Sequence, residues 1–576
     1  MRLNWKSVKN FIVLLCLPCL VGCSAPQDLD KNEVTVCLVQ GDPFVARRYV
    51  VKGERGDDLT FQLSLREDYT LGDCSYEDYS FTQKENDCTL VLHNVRYSCR
   101  ISVSCFVPRS TVVYDYNGGT ADGETFEKIS YKKSVHPRIN TQTAEHLKKD
   151  GYVLTGWNTS DDGKGEHVGL GSRVTLHEGE ETILYAEWRK ETDLSAFFYE
   201  VIENEITLLK YLGSDTEELV LPSTIGGREV TTVASGFAKD RTISTLVFPK
   251  TVEVIEENAF FNTQIQDIYF FDTMISVSDA SFSGQVPHTW HINAQMIPRY
   301  QGMSDITVFA DKMDLLMQNA DKRKLIFFAG CSMFYGLDSQ MVAEEYPDYT
   351  VLDMGVVGGT NASFQFDCML PFIREGDVFV HAPEQASSYQ LMANLACENR
   401  VFIATEGNFD LLTLTDMAKM EGAFDCFSAF NSNRRKLEPR SYDDAFSFNE
   451  YGDNTSNRPN VRNDKQLTEN YGVYDGYVTE TSLNVLCNLY DQIEEKGGTV
   501  YFSYAPINEL CVVEENAIAF TEKIENGLKE RGYTVISDLR DYVMPAKYFY
   551  DTDYHLTNEG AQIRTNKLIS DLKQVL

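Results

Sequence analysis

The chain has 576 residues, with 86 Asp and Glu against 52 Lys and Arg, for a formal net charge of −34. That length exceeds what one hydrophobic core holds and points to three to five domains, at roughly 100–200 residues each. The acidic balance argues against a nucleic-acid partner, because binding phosphates needs clustered Lys and Arg; it reads as an acidic, solvated surface.

The first element is a leader. Arg2, Lys6 and Lys9 precede an apolar run from Phe11 to Val21. The run is too short to span a bilayer and suits a signal-peptide core. It ends in Leu20-Val21-Gly22-Cys23, which resembles a bacterial lipobox. The resemblance implies that residues 1–23 are a lipoprotein signal, that Cys23 is the lipidated residue, and that several acyl chains anchor the mature protein. No later stretch has the ~18 consecutive apolar residues of a spanning helix. The expected location is the outer face of the bacterial cell membrane, with the lipid as the only membrane attachment.

Cysteine usage fits an exported chain without fixing a pairing. Of fourteen cysteines, five lie between Cys37 and Cys105 and six between Cys331 and Cys511. The mature chain has no CxxC pair, so a metal cluster is not expected. Export permits disulfides, but an odd count cannot pair entirely within the first module.

Residues 24–110 alternate apolar and polar positions, as in "LTFQLSL" and "CTLVLHNVRYSCRISVSC". A period of two predicts half-buried antiparallel strands in a small sandwich. Residues 111–190 begin "TVVYDYNGGT" and close on "TILYAEW". Asn117-Gly118-Gly119 is a tight-turn signal. With Gly151-Tyr152, Gly156-Trp157 and Tyr185-Ala186-Glu187-Trp188, this segment resembles the internalin-type B repeat. The resemblance implies a β-rich spacer or adhesive stalk, with Trp157 and Trp188 expected in its core.

Residues 191–290 repeat internally. Ile243 and Ile265 are 22 apart, as are Leu246 and Ile268, and Phe237, Phe260 and Phe282 recur at nearly that period. The units resemble BspA-like leucine-rich repeats. So short a solenoid must lean on its neighbours, and it serves equally as a rigid spacer or as a surface for protein ligands.

Residues 295–576 change pattern. "KLIFFAG", "YTVLDMG", "DVFVHAP", "GTVYFSYAP" and "YTVISD" are apolar runs of strand length separated by amphipathic stretches. This predicts a parallel sheet covered on both faces, a pattern complete enough to fold alone. Ligands bind past the carboxyl ends of such strands. There stand Gly330-Cys331-Ser332, then Asp353 to Asn361 with Gly358, then His381-Ala382-Pro383-Glu384-Gln385. "YFYDTDYHLTNEGAQ" follows the last run. From residue 301 onward the only histidines are His381 and His555.

"GCSMFYG" followed late by "DYHLTNEGA" resembles the SGNH (GDSL-type) hydrolases over residues 320–576. The resemblance implies a three-layer, flavodoxin-like α/β domain that needs no metal or cofactor. It makes Ser332 the nucleophile, with Cys331 where Asp is common, and His555 the base. Backbone N–H groups of Ser332 and Gly358 become oxyanion donors. Three departures stand out. Thr552 occupies the position of the usual Asp; Asp551 and Asp553 flank it, and either can turn to the ring, Asp551 being favoured because it can fold back from the strand side. The third block lacks its G-x-N-D asparagine, and Gln385 is the available substitute donor. Residues 401–480 form a long insertion.

The fold class is therefore multidomain: β-rich modules, a short solenoid and a C-terminal α/β domain. The leading functional expectation is a surface-tethered esterase acting on O-acyl groups of glycans or envelope polymers. O-acyl transfer through the same triad and a catalytically inactive adhesin or scaffold are the alternatives.

Overall fold

The structure is a computed structural model. It describes residues 33–576 except 40–43, 45–47, 67–68, 77, 85, 134–137, 177–179, 297, 300–303, 357–361, 386–398, 439–447 and 455–471. The leader with Cys23, and Gly358, lie outside the described residues. Two compact units result: residues up to 110 with 130–135, and residues 111–129 with 136–576.

The first unit is strand-rich. Leu59–Ser64 pairs antiparallel with Asp87–Leu92, which pairs antiparallel with Tyr79–Lys84. Leu59, Phe61 and Leu63 are buried while Thr60 and Gln62 face solvent, as the period of two predicts. Glu33–Val39 pairs antiparallel with Arg48–Glu54 but parallel with Cys99–Ile101, so the module is not wholly antiparallel. Cys37, Cys74, Cys88, Cys99 and Cys105 are all free thiols.

In the second unit, residues 111–115 run parallel to Glu181–Lys190, which pairs antiparallel with Tyr152–Asn158. Asn117 and Gly118 take positive φ, 47° and 81°, in the turn that follows residue 115. Trp157 is fully buried 4.7 Å from the Tyr114 ring, and Trp188, half-buried, donates its indole N–H to Tyr116 O.

Thr216–Val220, Thr242–Val247, Gln264–Phe271 and Thr289–Asn293 then form a parallel sheet in chain order, with Ile243 opposite Ile265 and Leu246 opposite Ile268. Phe237, Phe260 and Phe282 stand in one buried column, with ring centroids 5.8 and 5.1 Å apart. The column continues into the next segment, where Phe282 stacks on Phe424 at 4.4 Å and Trp290 on Phe424 at 4.2 Å. Arg434 adds buried ion pairs to Asp272 and Glu406. One hydrophobic core therefore runs from Phe197 to Tyr554. That core crosses residue 295, where the sequence pattern changes.

Among the described residues, the main sheet of the last segment has five strands: β1 (Lys324–Phe328), β2 (Thr350–Asp353), β3 (Val378–His381), β4 (Thr499–Phe502) and β5 (Thr534–Val535). All pairings are parallel, in the order β2-β1-β3-β4-β5. Along β1, Ile326 and Phe328 enter the core shared with the helices Ser304–Gln318 and Glu480–Glu495. Leu325 and Phe327 enter a second core with Leu568 and Leu572 of the helix Asn558–Leu572. Alternate residues of one strand thus serve two apolar layers, which is why the run reads as continuously hydrophobic. Chain direction reverses in sheet order at β1, so the crevice past β1, β2 and β3 is the topological switch point, where such sheets bind ligands.

Candidate active site

Past β1 the chain turns through Gly330 into the short helix α1 (Cys331–Phe334). Gly330 is needed for space: a Cβ there would come within 2.5 Å of both Glu384 carboxylate oxygens. Glu384, buried past β3, accepts the Ser332 backbone N–H at 3.0 Å. That donor, expected to face a substrate oxyanion, is therefore occupied by a side chain from the neighbouring strand end.

His555 sits on the turn before the helix Asn558–Leu572. Thr552 shapes that turn: its Oγ1 accepts the N–H groups of Tyr554 and His555 at 3.2 and 3.1 Å. The residue in the usual carboxylate position thus caps the loop through its hydroxyl. The carboxylate comes one residue earlier, with Asp551 Oδ1 2.8 Å from His555 Nδ1. Asp553 turns the other way. It is fully buried, its backbone O accepts Asn508 N–H at 3.0 Å, and its carboxylate meets the Cys511 thiol.

The imidazole lies against Tyr335, with centroids 4.2 Å apart and planes 24° apart, and Tyr550 is 5.7 Å away. Burial pushes the His555 pKa down, but the Cys331 sulfur and the Asp551 carboxylate bonded to Nδ1 outweigh it and push it up to about 10. The Ser332 hydroxyl is not among these partners. Ser332 is fully buried and its Oγ has no hydrogen-bond partner.

The remaining expected residues divide. Gln385 is buried, and its side-chain amide donates to Ala505 O at 2.7 Å. His381 ends β3 with Nδ1 2.8 Å from the Tyr490 hydroxyl, between Phe328 and Phe366. Burial pushes its pKa down to about 3, so it is a neutral core residue. Below the site, Lys312 is buried against Asp353, 3.4 Å away, and bonds Gly355 O, holding the turn after β2. Sequence reasoning missed Glu384 on the helix start and the Tyr335 and Tyr550 walls. The cysteine in the Asp position of the first motif was one visible sign, with Thr552 and the missing G-x-N-D asparagine, that the site departs from its pattern.

Among the described residues, no group of three or more His, Cys, Asp or Glu side chains is arranged to hold a metal ion, and no helix is long and apolar enough to cross a membrane. Comparisons with protein-family models, with curated proteins and with solved structures returned no match.

Proposed function

We propose that this chain is an acyl-transfer enzyme of the SGNH type that hydrolyses carboxyl esters, tethered to the bacterial envelope through Cys23. The observation that carries this reading is the 2.8 Å hydrogen bond between Asp551 and His555, at the strand ends where the motif resemblance puts the catalytic histidine. A carboxylate on Nδ1 fixes the tautomer and leaves Nε2 to move a proton between nucleophile and leaving group. Tyr335 holds the ring plane from one side. O-acyl groups on glycans or envelope polymers are the substrate class, because an anchored, modular chain meets those polymers first. The repeats between anchor and catalytic segment act as a spacer or adhesive stalk.

One observation favours the inactive-scaffold alternative: the Ser332 N–H is capped by Glu384 and the Ser332 hydroxyl is buried. The test is hydrolysis of p-nitrophenyl acetate by the purified full chain and by His555→Gln. Turnover that requires His555 supports the enzyme. A wild-type rate no higher than that of folded His555→Gln supports the scaffold.

A further inference from the structure

We infer that Cys331 is the nucleophile of this site, and that the acyl group passes through a thioester on its sulfur. The inference rests on the acyl-transfer reading above and names a different attacking atom from the one the motif suggests.

The geometry is that of one helical turn. Tyr335 N–H donates to Cys331 O at 2.9 Å, so the two residues are i and i+4 on α1 and share a face. His555 lies on that face, stacked on Tyr335. Asp551 occupies Nδ1, which leaves Nε2 for a group on the face that Cys331 shares with Tyr335, and the Cys331 sulfur acts on the ring's charge. Ser332 is one position further, about 100° around the helix axis, and it points into the core. Accessibility separates the two in the same direction. Cys331 is half-buried, and the His555 and Asp551 side chains keep 14% and 24% of their exposure, while Ser332 has none. The thiol, the imidazole and the carboxylate are each partly exposed, and the Ser332 hydroxyl is not. The upward shift of His555 has the same origin, since the sulfur and Asp551 are what overcome its burial.

The step balances without a further reactant. With the thiol's proton resting on His555, the sulfur attacks the acyl carbonyl, the C–O bond to the alcohol breaks, and the imidazolium gives that proton to the leaving oxygen. The product is a Cys331 thioester. Water, deprotonated by His555, then attacks the thioester carbonyl. The carboxylic acid leaves, and the proton again rests on His555. A substrate hydroxyl in place of that water gives transfer instead of hydrolysis. The expected acyl donors are esters and thioesters, whose leaving groups a paired thiol can displace.

The experiment uses the folded full chain, acid-quenched during turnover of p-nitrophenyl acetate, with the adduct located by peptide mass mapping. In parallel, iodoacetamide alkylation of Cys331 is compared with that of half-buried Cys426 in the wild type and in His555→Gln. Expected are an acetyl group on Cys331 that neutral hydroxylamine releases, and Cys331 alkylation at least ~10-fold faster than Cys426, lost in His555→Gln. An acetyl group on Ser332, stable to neutral hydroxylamine, overturns the inference and leaves the esterase reading standing. No turnover, with His555-dependent alkylation intact, overturns the esterase reading and leaves Cys331 as the reactive group. Alkylation no faster than at Cys426, without an adduct, overturns both.

Discussion

Two histidines serve the same sheet, and each is bonded through Nδ1, yet they are opposite in chemistry. His381 meets the Tyr490 hydroxyl between Phe328 and Phe366 and has almost no exposure. His555 meets a carboxylate, a thiol and the face of Tyr335 at the edge of solvent. A neutral partner and apolar walls leave burial unopposed, and the ring stays uncharged. An anionic partner reverses that balance. What separates the two histidines is the charge of the partner and the exposure of the ring, not the residue type.

The sharpest way to break that contrast is to remove each ring. His555→Gln is expected to lower p-nitrophenyl acetate hydrolysis by roughly 10⁴, the upper end of what a positioned general base contributes. His381→Gln is expected to leave the rate of the folded protein near wild type and to lower its melting temperature instead. If His381→Gln abolishes turnover in protein that melts normally, the two roles are reversed.

The carboxylates offer a second contrast. Asp551→Asn is expected to cost roughly 10²–10³ in kcat/KM. That is less than the ~10⁴ found where the nucleophile is a serine hydroxyl, because a thiol depends less on its base. Asp553→Asn should change kcat/KM little and reduce stability, since Asp553 faces Asn508 and Cys511. Steady-state kinetics of both single variants decide it; equal losses would mean that Asp553 also acts on the ring.

Each of the five apolar runs read as strands contains a strand, and in β1 and β3 burial on both faces writes itself as continuous hydrophobicity. The His555–Asp551 pair was legible as one of two options, and the structure chooses Asp551 because Thr552 spends its hydroxyl on the turn. Three features were not legible. Glu384 reaches the Ser332 N–H from 52 positions away, and nothing local announces such a contact. The choice between Cys331 and Ser332 is a rotation about a helix axis, which a motif matched letter by letter does not weigh. The core shared across residue 295 depends on Phe282 and Trp290 meeting Phe424, whereas the periodicity changes abruptly there and suggests a boundary.

A smaller effect tests the structural histidine alone. Tyr490→Phe removes the hydroxyl bonded to His381 Nδ1 and leaves a buried ring nitrogen unsatisfied, at a cost of about 1–3 kcal/mol. Chemical denaturation should show a lower midpoint with an unchanged slope, and ester hydrolysis should be unaffected. An unchanged midpoint would mean that His381 finds another partner.

The last contrast is the pH dependence, whose sign differs between the two rings. His381 is pushed from an ordinary 6.5 down to about 3. Between those values the unfolded chain binds a proton that the folded chain refuses, so stability falls as pH drops below about 6.5. His555 is pushed from 6.5 up to about 10. Its contribution is fully present below pH 6.5 and is lost as pH rises toward 10, because there the folded state holds a proton that the unfolded state has released. Melting temperatures of wild type, His381→Gln and His555→Gln across pH 4 to 10 read both limbs. The destabilisation caused by His555→Gln should be largest at pH 6 and shrink toward pH 10. His381→Gln should flatten the acid limb only in part, because buried His291, also pushed down to about 3, adds a loss of the same sign. A gap between wild type and His555→Gln that widened with pH would mean that the ring is neutral in the folded protein, and the two histidines would then differ only in their access to solvent.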